Sequence, residues 1–298
     1  MRFASFSVLG GEEPNEIRTG LILDAEVIDL GDPAVGLPTS MRELLALGEA
    51  GVERAHAASA TTAVRYATES VQLHAPVPDP PNILAIGMNY RAHVAEMGRE
   101  PPEYQYWFNK QRTAIAGPGD PIVIPSVSNM VDYEGELAMV IGRRCHHIPA
   151  DRAMEVVAGF TVINDVSARD WQWRTPTFTM GKSFNSHAPC GPWMTTTDEV
   201  GDPSQLAIRT WVNDDLRQDS TTSDLIFSCA EMIEYLTTAF PLEVGTIIAT
   251  GTPAGVGAGR QPPSFLEDGD VVRIEIEGIG ELVNPVVQGA DPVPVGLD

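Results

Sequence analysis

Short apolar runs rich in Val, Ile and aromatic residues recur along most of this chain, each closed by Gly or Pro, while long helical patterns are scarce. Read by composition and flanking turn residues, the runs at 83–86, 122–124, 134–141, 159–163, 207–212, 245–250 and 271–276 are strands. Only 150–157 and 228–240 carry a clear helical pattern in this part of the sequence. Strands so numerous and evenly spread exclude a doubly wound α/β fold, where each strand would be followed by a helix. The expected class is α+β and β-rich.

Residues 1–72 read as a small N-terminal α+β domain: strands at 19–23 and 26–30 around a turn, then helices at 41–47 and 64–71. The Pro-rich stretch 73–82 reads as an extended linker. The remainder, 83–298, reads as the catalytic domain, with a peripheral Pro- and Gly-rich tail after Val287. A length of 298 residues with 43% hydrophobic content is ample for a sizeable core. A formal net charge of −22 leaves little to neutralise phosphates, so nucleic acid is excluded as a partner. No apolar run reaches the ~20 residues of a membrane span, and the first residues turn acidic too soon for a signal peptide. Cys145, Cys190 and Cys229 are odd in number and far apart, which predicts free thiols and a cytoplasmic setting.

The run at 134–141 is preceded by acids at alternate positions, Asp132, Glu134 and Glu136. A strand sends such residues to one face, where carboxylates repel and raise one another's pKa. A divalent cation would stabilise the patch; a solvated edge strand is the plainer alternative. Asp165 closes the run at 158–164 and needs a partner of its own if buried. The four acids together point to a metal site made of oxygen ligands.

Further pieces carry chemistry. Asn89 is placed to cap a short helix that Gly98 would end. His93 and Glu96, three apart on that helix, can touch and form a general base, though taken alone they read first as an exposed surface pair. Lys110 and Lys182 follow aromatic or apolar residues in a chain with few cations; either reads as a pocket lysine or a surface one. Arg169 and Asp170 form a potential ion pair that would brace the turn presenting Asp165. The glycine-rich stretch 251–259 follows a strand and can receive a carboxylate on its N–H groups. Its spacing, and Pro262-Pro263 where a helix should start, exclude a dinucleotide fingerprint. His146-His147 reads as loop.

These segments, in this order, resemble the fumarylacetoacetate hydrolase family from about Pro81 to Val287. The motifs are Gly87-Met88-Asn89-Tyr90 with His93 and Glu96, Asp132-Tyr133-Glu134-Gly135-Glu136-Leu137, Asn164-Asp165-Val166-Ser167-Ala168-Arg169-Asp170, Gly181-Lys182-Ser183-Phe184, and Thr250-Gly251-Thr252-Pro253 running on to Gly257. The resemblance implies a mixed β-roll or sandwich, usually dimeric, with a small N-terminal domain. It implies Mg²⁺ or Mn²⁺ on Glu134, Glu136 and Asp165, with Asp132 behind them. It also implies a water-activating His93–Glu96 dyad assisted by Lys182, and substrate contacts at Lys110, Thr252, Gly251, Arg169 and Gln172. The stretch 259–266 is similar to the branch containing oxaloacetate tautomerase-like proteins.

The implied substrate is a small 2-oxo acid. Metal-dependent hydrolysis of the C–C bond of an acylpyruvate-like 2,4-dioxo acid stands first among the reactions, because the dyad is complete. Oxaloacetate tautomerisation or decarboxylation stands second. A sugar-acid dehydratase or lyase on the same scaffold follows, and a non-catalytic binding protein is last.

Overall fold

The computed structural model describes residues 1–10 and 16–290; the tail reading falls partly outside these residues. In chain order the first strands are β1 (Arg2–Val8), β2 (Arg18–Leu23), β3 (Glu26–Asp29), β4 (Arg65–Ala67), β5 (Val71–His74), β6 (Ile83–Gly87), β7 (Tyr106–Lys110), β8 (Ile115–Ala116) and β9 (Ile122–Ile124). They are followed by β10 (Val131–Asp132), β11 (Gly135–Ile141), β12 (Val157–Asn164), β13 (Ser167–Ala168), β14 (Ala188–Thr196), β15 (Ala207–Val212), β16 (Asp215–Thr221), β17 (Ile247–Ala249), β18 (Val271–Ile276) and β19 (Gly280–Gln288). The helices are α1 (Met41–Ala46), α2 (Glu49–Ala58), α3 (Arg91–Glu96), α4 (Arg169–Gln172), α5 (Thr197–Val200) and α6 (Cys229–Ala239).

A 12-stranded sheet follows the order β4-β3-β2-β1-β14-β12-β11-β17-β6-β7, with β5 also on β1 and β8 on β14. A second sheet of five strands runs β16-β15-β18-β19-β9. Every residue of β11 is buried, which explains its unbroken apolar run. Leu137, Met139 and Ile141 join a core made with Ile208, Ile274 and α6 residues such as Met232. Ala138 and Val140 face the other way, into a core with Phe3, Leu44 and Ala55. The large sheet is thus covered by the second sheet and α6 on one side, and by α1 and α2 on the other. In β15 and β18 every second residue is buried, as a sheet with one covered face requires.

α6 starts where its sequence dictates. Ser228 caps it, and Glu231 completes a reciprocal capping box.

Three local expectations are corrected. Residues 64–71 are not helical: β4 pairs with β3, a 3₁₀ turn spans Thr68–Ser70, and β5 pairs with β1. Tyr66 and Val71 suit a pleated surface, and the sheet satisfies their backbone groups better than an isolated turn of helix. The stretch at 150–157 is a 3₁₀ helix, Ala150–Val156. Asn89 does not cap α3. Its side chain donates to the Thr250 carbonyl and accepts from the Phe227 N–H, both at 2.8 Å, and Tyr90 stands at the N-cap. Gly98 does follow the end of the helix, at φ +65°.

β14 is absent from the strands read above because Pro189 and Pro192 argue against one. The sheet accommodates them with an irregular register opposite β12. The Pro-rich stretch is extended but packed: Ala75 and Val77 are buried, and Pro76 accepts a hydrogen bond from Ser5.

Candidate active site

β11 and β12 pair antiparallel, with Gly135 opposite Asn164 and Glu136 opposite Ile163. The start of one strand therefore lies beside the end of the other, and this brings Glu134 and Glu136 to Asp165. One carboxylate oxygen from each lies within 4.8 Å of the others, and all three side chains are buried. The backbone fixes the arrangement. The Asp165 N–H donates to the Glu134 carbonyl at 2.9 Å, and the Glu134 N–H donates to the Asn164 side chain at 3.0 Å.

The alternation expected from 132 to 136 is interrupted. The chain leaves strand geometry at Tyr133 and Glu134. Asp132 is directed instead to the glycine-rich turn, where it accepts N–H bonds from Gly257 at 2.7 Å and Ala258 at 2.9 Å.

Cations surround the triad. Lys182 Nζ lies 2.7 Å from both Glu134 and Asp165. Lys110 Nζ lies 2.5 Å from the other Asp165 oxygen and donates to the Val166 carbonyl. Arg169 does not pair with Asp170, whose carboxylate accepts from Ser128. It reaches Asp132 at 2.8 Å and Glu134 at 2.6 Å, and also donates to Gln172. The pull of opposite charges, stronger in this dry setting than beside an exposed neighbour, redirects it.

These contacts divide the carboxylates. Burial pushes Glu134 up, but Lys182 and Arg169 outweigh it and hold the group below the usual carboxylate range. Glu136 is pushed well above that range by burial and by the charges of Asp165 and Glu134. Lys182 is raised because Asp165 and Glu134 more than offset its burial, whereas burial lowers Lys110. A cation at the triad would relieve the repulsion on Glu136. Three carboxylates without Cys or His suit a hard divalent ion, so the residues present fit such a group.

The glycine-rich turn does bind carboxylates, and those it binds belong to the chain. Gly251 N–H donates to Glu136 at 2.8 Å, Gly255 N–H to Glu96 at 2.9 Å, and Gly257 N–H to Asp132. Thr252 donates its hydroxyl to the Gly135 carbonyl and receives a bond from Gln218.

α3 carries the dyad. His93 Nδ1 lies 3.2 Å from Glu96 Oε2, and both side chains are mostly shielded from solvent. The helix is tied at its start by the Ala92 N–H to Asp224 at 2.9 Å and by Arg91 to the Leu225 carbonyl at 2.6 Å.

A cavity of about 110 Å³ joins these groups. Glu134, Glu136 and Lys182 form one part of its wall; His93, Arg169, Gln172 and Thr252 contribute to the rest. Lys110 and Gly251 stand one step back, against Asp165 and Glu136 respectively. Met88, Phe108, Phe178 and Arg99 also line it, and sequence reading missed them. Their local patterns are ordinary; only Met88 and Phe178, with φ of +57° and +61°, are unusual, and that is invisible before folding. A roomier hollow of about 580 Å³ beside Arg2 and Trp193 lies away from these groups. Convergent chemistry, not size, marks the site.

Comparison with known proteins matches residues 82–287 to the family described as fumarylacetoacetate (FAA) hydrolase C-terminal. The mitochondrial oxaloacetate tautomerase fahd2 of Xenopus laevis is 40% identical, over 96% of this chain and 90% of that protein. The oxaloacetate tautomerase YisK of Bacillus subtilis is also 40% identical, over 96% of this chain and all of that protein. Among solved structures, the maleylpyruvate hydrolase of Sphingobium sp. SYK-6, in complex with manganese (II) ion and pyruvate, superposes with a TM-score of 0.81. It shares 33% identity and covers 97% of this chain and 100% of its own. Among the described residues no helix is long and apolar enough to cross a membrane.

Proposed function

The chain belongs to the fumarylacetoacetate hydrolase family, and from that premise we propose that it interconverts the keto and enol forms of a small 2-oxo diacid of the oxaloacetate type. Members of this family are enzymes, and tautomerisation, read second from the sequence, fits the relatives at least as well as the hydrolysis read first. One observation carries the reading. A cavity of about 110 Å³ has two of the three triad carboxylates, Glu134 and Glu136, on its wall together with an imidazole oriented by a carboxylate, and Asp165 stands beside them.

In this reading Glu134, Glu136 and Asp165 would hold Mg²⁺ or Mn²⁺, which would supply Lewis acidity to a 2-oxo acid. Glu96 engages His93 Nδ1, which leaves Nε2 to take the proton from C3 of the keto form. The same proton is returned to the ketone oxygen, so the reaction needs no water. Lys182 offsets negative charge that grows on the substrate. Arg169 and Gln172 shape the wall, Thr252 borders it, and Lys110 and Gly251 keep Asp165 and Glu136 in place. A homodimer and a cytoplasmic setting belong to the same reading, on the strength of the family resemblance and the free, buried cysteines.

Hydrolysis of a 2,4-dioxo acid remains the second reading, because His93 and Glu96 would equally activate water and a structural neighbour is a maleylpyruvate hydrolase. The deciding experiment follows decay of the oxaloacetate enol and of an acylpyruvate in parallel, with Mg²⁺ or Mn²⁺ and then with chelator. Metal-dependent acceleration of enol loss supports tautomerisation. No acceleration, with brisk acylpyruvate cleavage, replaces it with hydrolysis.

A further inference from the structure

The glycine-rich turn holds one residue whose missing side chain leaves room for the Glu96 carboxylate. A Cβ built on Gly259 would fall 2.5 Å from the Glu96 carboxyl carbon and 2.8 Å from each of its oxygens. These are the three nearest atoms to it. By contrast, a Cβ on Gly257 would meet the backbone carbonyl of Ser264, and one on Gly255 the backbone of Arg217. Those two glycines serve the packing of the chain. Gly259 also lies outside the left-handed region, since only Gly251 and Gly255 in this stretch have positive φ, so its backbone accepts any L residue.

The Glu96 carboxylate is caught between three features. Its Oε1 accepts the Gly255 N–H at 2.9 Å, its Oε2 faces His93 Nδ1 at 3.2 Å, and Gly259 closes over it. A Cβ at 259 would press on the carboxylate and force it away from one or both of the other two.

We infer that Gly259 is a positioning residue, and that the bare Cα at this point lets the turn hold Glu96 in the orientation that aligns His93. The inference rests on the proton-transfer role proposed for the dyad. It adds that catalysis depends on a residue with no reactive group, reached only through Glu96.

An alanine at 259 would displace the far end of a flexible side chain and not backbone, so the fold should tolerate it. Misplacing a catalytic group by about 1 Å costs on the order of 10²-fold in rate. The test compares wild type, Gly259→Ala, Glu96→Ala and the double variant, using enol-oxaloacetate turnover, Mn²⁺ titration and thermal unfolding. For Gly259→Ala we expect unchanged melting and Mn²⁺ affinity, unchanged KM, and kcat lower by about 10²-fold. In the Glu96→Ala background the same substitution should have no further effect, because its target is gone.

If Glu96→Ala is impaired but Gly259→Ala turns over normally, the positioning role is wrong and the dyad reading survives. If Glu96→Ala is itself unimpaired, the dyad reading fails and this inference falls with it. Equal losses from Gly259→Ala in both backgrounds would also overturn it, by showing that the residue acts elsewhere. Should Gly259→Ala fail to fold, the double variant decides. Restored folding confirms the clash with Glu96, and continued failure refutes it.

Discussion

Glu136 Oε2 accepts the backbone N–H of Gly251 at 2.8 Å, and among the described residues no ammonium or guanidinium comes within salt-bridge distance of Glu136. Its two companions differ. Glu134 and Asp165 each face two cationic side chains. The triad therefore has a side whose charge the protein's own cations balance and a side, at Glu136, that a proton or an added cation would balance.

The first prediction comes from that asymmetry. Burial and the neighbouring carboxylates raise the Glu136 pKa above its unfolded value, so ionisation at neutral pH opposes folding of the metal-free chain. Glu136→Gln should melt higher than wild type in chelator. On adding Mn²⁺, wild type should gain stability by mass action and the variant should not. Calorimetric Mn²⁺ affinity should drop by more than the ~10²-fold typical of losing a group that merely supports a ligand.

The dyad gives the second. His93→Ala should slow acylpyruvate hydrolysis by about 10²–10⁴-fold if water attack is the chemistry, and enol-oxaloacetate turnover by a similar factor if proton transfer is. Metal affinity should change little, since His93 touches Glu96 and not the triad. Kinetics of both substrates, with a Mn²⁺ titration of the same preparation, check both claims. Unchanged rates would make the pair structural.

A third concerns acid stability. His187 is fully buried, with Nε2 at 3.0 Å from the Val123 carbonyl and Nδ1 unpartnered. Burial, reinforced by the charge of Lys110, pushes its pKa down to about 3 from the usual 6.5. The unfolded chain binds a proton near pH 6.5 that the folded one refuses, so stability is intact above this value and is lost as pH falls toward 3. The contribution is at most about 1.4 kcal/mol per pH unit. His187→Gln, compared with wild type by urea unfolding at pH 7 and pH 5, should show a shallower decline.

For the fourth, light scattering at micromolar concentration should return twice the 32.1 kDa of one chain. A mass near the single-chain value would remove the homodimer from the proposed reading.

Much of the site was legible because periodicity carries it. Glu134 and Glu136 flank Gly135 at the mouth of an apolar strand, and His93 and Glu96 share a helical face. What stayed hidden depends on partners distant in sequence. Nothing near Asp132 indicates that its carboxylate will be taken by Gly257 and Ala258, or that Arg169 will prefer Asp132 and Glu134 to its neighbour. The turn at 251–259 was rightly read as a receiver of carboxylates, yet which ones it receives follows from tertiary packing. β14 shows the same limit for the fold, because the irregular register that accommodates its prolines is a property of its pairing with β12.

The insertion of β14 next to β1, with Phe3 opposite Met194, has a bearing on biosynthesis. At about 5–20 residues per second on a ribosome, the start of β1 waits on the order of ten to forty seconds for its neighbour to be made. β2 and β5 pair the rest of β1 within the first 74 residues, so through that interval only Arg2 and Phe3 keep one edge without its strand partner. The strand that begins the chain is therefore seated in two stages, its far end against β5 early in synthesis and its first residues against β14 only once about two-thirds of the chain exists.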